Sequence, residues 1–276
     1  MYEINLKNKT ALIFGFSNHR SIAWHTANKL YKAGAKIIFS VYGDKMQENL
    51  LKLVSDWNYP PEIIQCDVSD DKSISSLFTN LQNANEKIDI LVHSIAMADK
   101  DELGGDYLKL SRDGFKLALD ISAYSFVALC EGSRKIMNSS GSIVTFTFQA
   151  SERVFPGYNV MGTAKAALEH EVRQIAYTLG EENIRVNAIS AGPLDTISSR
   201  VIQGYKTMKS AASERSPLKR NITLDEVADS ALFLLSDMST GITGEVLHVD
   251  SGYNICLLYT SPSPRDATLS RMPSSA

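Results

Sequence analysis

The sequence predicts an α/β domain: a doubly wound parallel sheet of about seven strands in three α/β/α layers. Three observations lead there. Short apolar runs of strand length recur along the chain. Helical patterns separate them. The first run ends in a glycine turn that opens a helix, and a second strand follows. Strands joined through helices pair in parallel, and the crossover helices cover both sheet faces. The size suits one such domain, because 276 residues, 44% hydrophobic and 21% charged, can bury a large core.

Taken in order, Thr10-Ala11-Leu12-Ile13-Phe14 is a buried first strand ending at Gly15. A polar loop leads to Ser21-Ile22-Ala23, which opens a helix with Ala27, Leu30 and Tyr31 on its apolar side. Gly34 suits the left-handed residue after that helix. Residues 36–42 form the second strand and 62–66 the third, which runs into Asp67-Val68. The fourth lies within 87–96. A long helix is expected over 113–137, a fifth strand over 141–148, a helix from Tyr158 to Leu179 and a sixth strand over 183–190. Residues 194–216 read as polar and irregular, 223–235 as helix and 244–250 as the seventh strand. In such a sheet ligands sit at the carboxyl ends of the strands, here Gly15, Tyr42, Asp67, Ile95, Phe148 and Gly192. Phosphates bind well where a helix begins, because free N–H groups point outward there. The spacing after Gly15 is not Gly-x-Gly-x-x-Gly, so the turn by itself is weak evidence.

Composition narrows the function. A net charge of −3 and a pI near 6.0 argue against a nucleic-acid or anionic-membrane surface. No apolar run approaches the roughly 20 residues that span a bilayer, and the N-terminus lacks the charge and apolar run of a signal peptide. Cys66, Cys130 and Cys256 follow neither disulfide nor zinc spacing, so no metal is expected and a reducing cytoplasm is. From Cys256 onward the composition changes: three of the eight prolines fall there and none of the 16 glycines. Cys256-Leu257-Leu258-Tyr259-Thr260-Ser261-Pro262 reads as an in-frame translation of a common sequencing adaptor. A single domain is therefore expected to occupy 1–255, and 256–276 to be a disordered read-through tail.

The chemistry centres on Gly157-Tyr158-Asn159-Val160-Met161-Gly162-Thr163-Ala164-Lys165. Tyrosine and lysine stand seven positions apart, close to two helical turns, so both are expected on one face. An ammonium near a phenol lowers the phenol's pKa, which suits a donor to an oxygen gaining negative charge. His93 reads as a packed core histidine, and Glu169-His170 as an exposed stretch of helix.

The ordered set of Gly15 with Ser21-Ile22-Ala23, Gln65-Cys66-Asp67-Val68, His93-Ser94-Ile95, Asp120-Ile121-Ser122, Tyr158 with Lys165, and Arg185 through Pro193 resembles the enoyl-[acyl-carrier-protein] reductases of bacterial fatty-acid synthesis. These are a divergent branch of the Rossmann-like short-chain dehydrogenase/reductases. The resemblance runs from about Leu6 to Ile255. It implies hydride transfer from a reduced nicotinamide to the β-carbon of a trans-2-enoyl thioester carried by acyl carrier protein, and a homotetramer. Gly15, Ser21 and Ile22 would hold the pyrophosphate region, with Tyr42 also among the cofactor-binding residues. Asp67 and Val68 would bracket the adenine, although Asp67 also reads as a cap of the next turn. Ile95 would lie along the nicotinamide and Lys165 on its ribose. Leu194, Asp195, Thr196, Ile197 and Ser198 would meet the carboxamide end and begin a mobile substrate loop. Tyr158 would hydrogen-bond the thioester oxygen, with Ala98, Phe148 and Met161 near the substrate. Phe155, Ile197 and Val201 are further apolar candidates.

Two positions depart from the resemblance. Many members of the branch carry a second tyrosine ten residues before the catalytic one, where this chain has Phe148. Asp195 stands where many carry a basic residue. For the cofactor, Tyr42-Gly43-Asp44 offers no cation for a 2′-phosphate, although Lys45 is near, so NADH is favoured over NADPH. Two other readings stand beside the reductase. One is a short-chain reductase of a different substrate, disfavoured because Gly162 takes the place of a lysine four after Tyr158. The other is a non-catalytic NAD(H)-binding regulator.

Overall fold

The computed structural model describes residues 4–256; the expected tail from 257 onward lies outside the described residues. The strands are β1 (Thr10–Phe14), β2 (Lys36–Val41), β3 (Glu62–Gln65), β4 (Ile88–His93), β5 (Met137–Thr147), β6 (Arg185–Ala191) and β7 (Val246–Val249). They form one sheet in the order β3-β2-β1-β4-β5-β6-β7, and every neighbouring pair is parallel. The helices between them are α1 (Ile22–Lys32), α2 (Asp44–Leu53), α3 (Asp71–Asn83), α4 (Arg112–Leu119), α5 (Ser125–Arg134), α6 (Val160–Leu179), α7 (Tyr205–Arg215) and α8 (Leu224–Leu235).

The uninterrupted apolar run of β1 reflects a strand buried on both faces. Ala11 and Ile13 pack into a core with α1 and α8, through Ala27, Leu30, Val227 and Leu234. Leu12 and Phe14 face the opposite core, with Leu77 of α3, Phe126 and Leu129 of α5, and Leu168 and Val172 of α6. Each large apolar side chain so buried contributes about 1.5–3 kcal/mol against exposure. Side chains fix several helix starts: Ser21 accepts from Trp24 N–H at α1, Asp70 caps α3, Ser111 caps α4, and Thr223 with Glu226 forms a reciprocal capping box at α8.

Three segments differ from the sequence expectation. The long helix over 113–137 is two helices joined by a π-helical turn, Asp120–Tyr124, and its last expected residue, Met137, starts β5 by pairing with Ile88. The segment 194–216 contains the three-turn helix α7. Only Tyr205 and Ala212 of that helix are buried, so it shows no broad apolar stripe to read. Finally, α6 begins at Val160, so Tyr158 lies in the turn before it. Gly157 (φ 88°) and Asn159 (φ 40°) take left-handed backbone, which a helix through Tyr158 forbids.

Candidate active site at the carboxyl ends of the strands

The strand order reverses between β1 and β4, and a parallel sheet leaves a crevice at such a point. A cleft of about 720 Å³ opens there. Gly15, at the end of β1, has φ 91°, and a Cβ added to it would lie 2.0 Å from the Ser94 carbonyl oxygen. Only glycine allows this close passage of β1 beside the end of β4. The first turn of α1 adjoins it, with Ser21 and Ile22 on the cleft wall. Ser21 Oγ also donates to Asn18 O at 2.8 Å, which holds the loop against the helix start.

Tyr42, Asp67, Val68 and Ile95 line the cleft from the ends of β2, β3 and β4. Asp67 serves its turn as well: its Oδ1 accepts from Ser69 N–H at 2.9 Å and Ser69 Oγ at 2.7 Å. Tyr42 is well exposed, and Asp44 just beyond it accepts from Gln65 Nε2 at 2.7 Å. On the other side Leu194, Thr196, Ile197 and Ser198 line the cleft. Asp195 does not. It follows β6 on an exposed turn, and its carboxylate pairs outward with Lys209 of α7 at 2.5 Å.

Tyr158, Lys165, Ala98, Phe148 and Met161 meet at the same cleft, with Val201 beside them. Phe155 stands behind, its ring 4.6 Å from that of Phe148. Lys165 is buried and donates from Nζ to the Phe146 carbonyl at 2.8 Å. Burial lowers its pKa to about 8, partly offset by the negative field of Glu169. Burial raises the Tyr158 pKa, and no cation offsets it. The expected lowering of the phenol by Lys165 is therefore absent here, because the ammonium is committed to Phe146 and Tyr158 precedes the helix. A lysine at position 162 has no room, since a Cβ on Gly162 would lie 2.9 Å from Ala150 O.

His93 is fully buried between Thr145 Oγ1 (2.8 Å) and Ser125 Oγ (3.0 Å), and burial lowers its pKa to about 3. It is neutral and structural. Glu169, expected on an exposed stretch, is instead buried, with Thr147 Oγ1 donating to it at 2.6 Å. Its neighbour His170 is exposed. Sequence reasoning also missed Phe16, Leu103, Tyr205 and Met208 of the cleft wall. Nothing in the spacing of Tyr205 and Met208 signals the site, because only α7 brings them to it.

The parallel order, the glycine passage and a tyrosine–lysine pair in one crevice define a nucleotide-dependent oxidoreductase of the short-chain dehydrogenase/reductase type. The family profile described as Enoyl-(Acyl carrier protein) reductase matches residues 15–254. The enoyl-[acyl-carrier-protein] reductase [NADH] FabI of Bacillus subtilis (strain 168) is 45% identical over 252 residues, 91% of this chain and 98% of that protein. The [NADPH] FabI of Staphylococcus aureus (strain MRSA252) is 43% identical over the same shares. Among solved structures, the Bacillus cereus enoyl-acyl carrier protein reductase with NADP+ and indole naphthyridinone superposes with a TM-score of 0.89 at 42% identity, covering 93% of this chain and all of that one. The Anaplasma phagocytophilum reductase in complex with NAD gives 0.87 at 35%, covering 95% and 98%. The chain belongs to the enoyl-[acyl-carrier-protein] reductase family.

Proposed function

We propose that this chain reduces trans-2-enoyl thioesters carried by acyl carrier protein, with a nicotinamide cofactor as the reductant. The observation that carries it is the meeting of Tyr158 and Lys165 with Gly15, Ile95 and Thr196 on one cleft wall, beside an apolar slot of Phe148, Met161, Ile197 and Val201. The residues fit a dinucleotide. Gly15 brings the end of β1 against the Ser94 backbone at the cleft, where a Cβ has no room, and the start of α1 adjoins it as a seat for phosphate. Ser21 and Ile22 would hold the pyrophosphate region, Tyr42 the ribose, Asp67 and Val68 the adenine, and Ile95, Leu194, Thr196, Ile197 and Ser198 the nicotinamide end.

When bound, the reduced nicotinamide supplies a hydride. The protein's own part is to orient and stabilise. Tyr158, kept protonated by burial, donates a hydrogen bond to the thioester oxygen as it gains negative charge. Lys165 adds positive charge near the ribose side. Ala98, Phe148 and Met161 exclude water from the enoyl carbons. NADH is the preferred cofactor, because Tyr42-Gly43-Asp44 offers a carboxylate where a 2′-phosphate needs a cation.

A homotetramer in the cytoplasm completes the reading. Phe115 of α4, Tyr124 of the π-helical turn and Tyr177 of α6 are each exposed, and no described helix is long and apolar enough to cross a membrane. The test is oxidation of NADH and of NADPH with a short trans-2-enoyl thioester, run beside Tyr158→Phe and Lys165→Met. Turnover that collapses in both variants is expected. Cofactor binding without turnover on any enoyl thioester overturns the reading in favour of a regulator.

A further inference from the structure

Two consecutive residues at the end of β5 are gripped by two successive turns of α6. The Phe146 carbonyl accepts from Lys165 Nζ at 2.8 Å, and Thr147 Oγ1 donates to Glu169 Oε1 at 2.6 Å. Lys165 and Glu169 are four residues apart, so they share a helix face, and both are at least nine-tenths buried. Phe146, Thr147 and Lys165 line the cleft, while Glu169 stands behind it. A carboxylate is rarely buried without purpose, because desolvation disfavours its charged form. We propose that Glu169 is a positioning residue for Lys165: its buried carboxylate, anchored by Thr147, keeps the lysine charged and fixes the strand end that holds its ammonium. The inference rests on the reading of Lys165 as the cation beside the cofactor.

The surroundings leave this work to Glu169. From β4, His93 faces the lysine but is neutral at any pH near 7. From the turn before α6, Tyr158 is held protonated. β5 offers the Phe146 carbonyl and the hydroxyls of Thr145 and Thr147, which carry no charge. Among the described residues, Glu169 is the charged group acting on Lys165, and it opposes the burial that favours the neutral amine.

The test is an NMR titration of the Lys165 side chain in the lysine-labelled, full-length, cofactor-free protein, with the resonance assigned by its loss in Lys165→Met. Glu169→Gln keeps an acceptor for Thr147 and removes only the charge. The Lys165 midpoint should fall by about one pH unit, and the alkaline limb of kcat/KM for NADH should move down with it. Thr147→Val keeps the charge and should leave the midpoint near its original value. An unmoved midpoint in Glu169→Gln overturns the inference, as does an equal shift in Thr147→Val, which would make the effect one of packing. If Glu169→Gln does not fold, Glu169→Leu, which removes the charge and keeps apolar volume in its place, is read in its stead, and an unmoved Lys165 midpoint there overturns the inference. Because these titrations are read without cofactor or substrate, they can fail while the turnover test on Lys165→Met succeeds, and the reverse.

Discussion

The Phe148 ring stands edge-on to Tyr158, with centroids 5.2 Å apart and planes at 62°. Phe148 can brace the phenol but cannot share its proton, so the loss of one hydroxyl should be fully felt. Tyr158→Phe is expected to lower kcat by about 10²–10³-fold, the range for a single donor to a developing oxyanion. NADH affinity should change by less than about twofold, since the lost interaction acts on the substrate oxygen. Steady-state kinetics with NADH titrated separately by fluorescence distinguishes the two effects.

Gly15→Ala should damage fold and cofactor site together. The new methyl would sit 2.0 Å from backbone at Ser94, on a φ of 91°. A destabilisation of at least ~2 kcal/mol is expected from strain and displaced backbone. A thermal melt with and without NADH checks it: the variant should melt lower and lose the upward shift that NADH gives the parent.

Asp44 governs the choice between the two nicotinamides, on the reading above. Asp44→Arg replaces a carboxylate held by Gln65 with a cation near the expected 2′-phosphate. The kcat/KM ratio of NADPH to NADH should rise by about tenfold or more, since about 1.4 kcal/mol of new attraction gives that factor. A ratio that stays constant would place cofactor choice elsewhere.

Acid should unfold this protein partly through His93. Its folded pKa of about 3 lies below the ordinary 6.5. Between those values the unfolded chain binds a proton that the folded chain refuses, so stability falls as pH falls through that window. The slope approaches about 1.4 kcal/mol per pH unit in mid-window. Urea unfolding of His93→Gln at pH 4 and pH 7 should show a smaller difference than in the parent, by about 3 kcal/mol. Lys165 acts in the same sense at higher pH, where stability should rise between about 8 and 10.5.

Glu171 works in the opposite direction. Burial raises its carboxyl to about 7 from 4.5, and one of its oxygens is buried without a partner. The folded state keeps a proton that the unfolded chain releases, so this group's contribution to stability falls as pH rises from about 4.5 to 7. Glu171→Gln should therefore stabilise the protein at pH 8, by about 1 kcal/mol once its partial solvation is allowed for. The same substitution at pH 4 should change stability little.

The strand ends locate the cleft from sequence alone, while Gly15, Tyr158 and Lys165 stand out only as parts of the ordered set of motifs that carries the resemblance. What escaped reading has physical causes. Glu169 reads as exposed because a charged residue beside a histidine resembles a solvated face, and only the packing of α6 against β5 shows that it turns inward. The sequence puts the start of α6 too early because helical spacing carries no sign of the left-handed backbone at Gly157 and Asn159. The π-helical turn at Asp120–Tyr124 is held by contacts from elsewhere, among them Ser122 Oγ bonded to both the N–H and the carbonyl of Met97 at 2.9 Å. The resemblance implies Asp195 at the site together with residues 194–198, but Lys209 draws it outward.

The adjacency of β1 and β4, with Phe14 opposite His93, also bears on how the polypeptide is made. The ribosome releases β1, β2 and β3 first, and these can assemble on one side of β1. The other side of β1 stays open until residues 88–93 emerge, and it presents the bare N–H and C=O groups of a strand that is apolar from Ala11 to Phe14. A product stalled in that interval would carry a sticky, unpaired edge of the kind that seeds aggregation. Synthesis through β4 covers that edge and passes the open one to β4 itself, which stays bare until β5 follows.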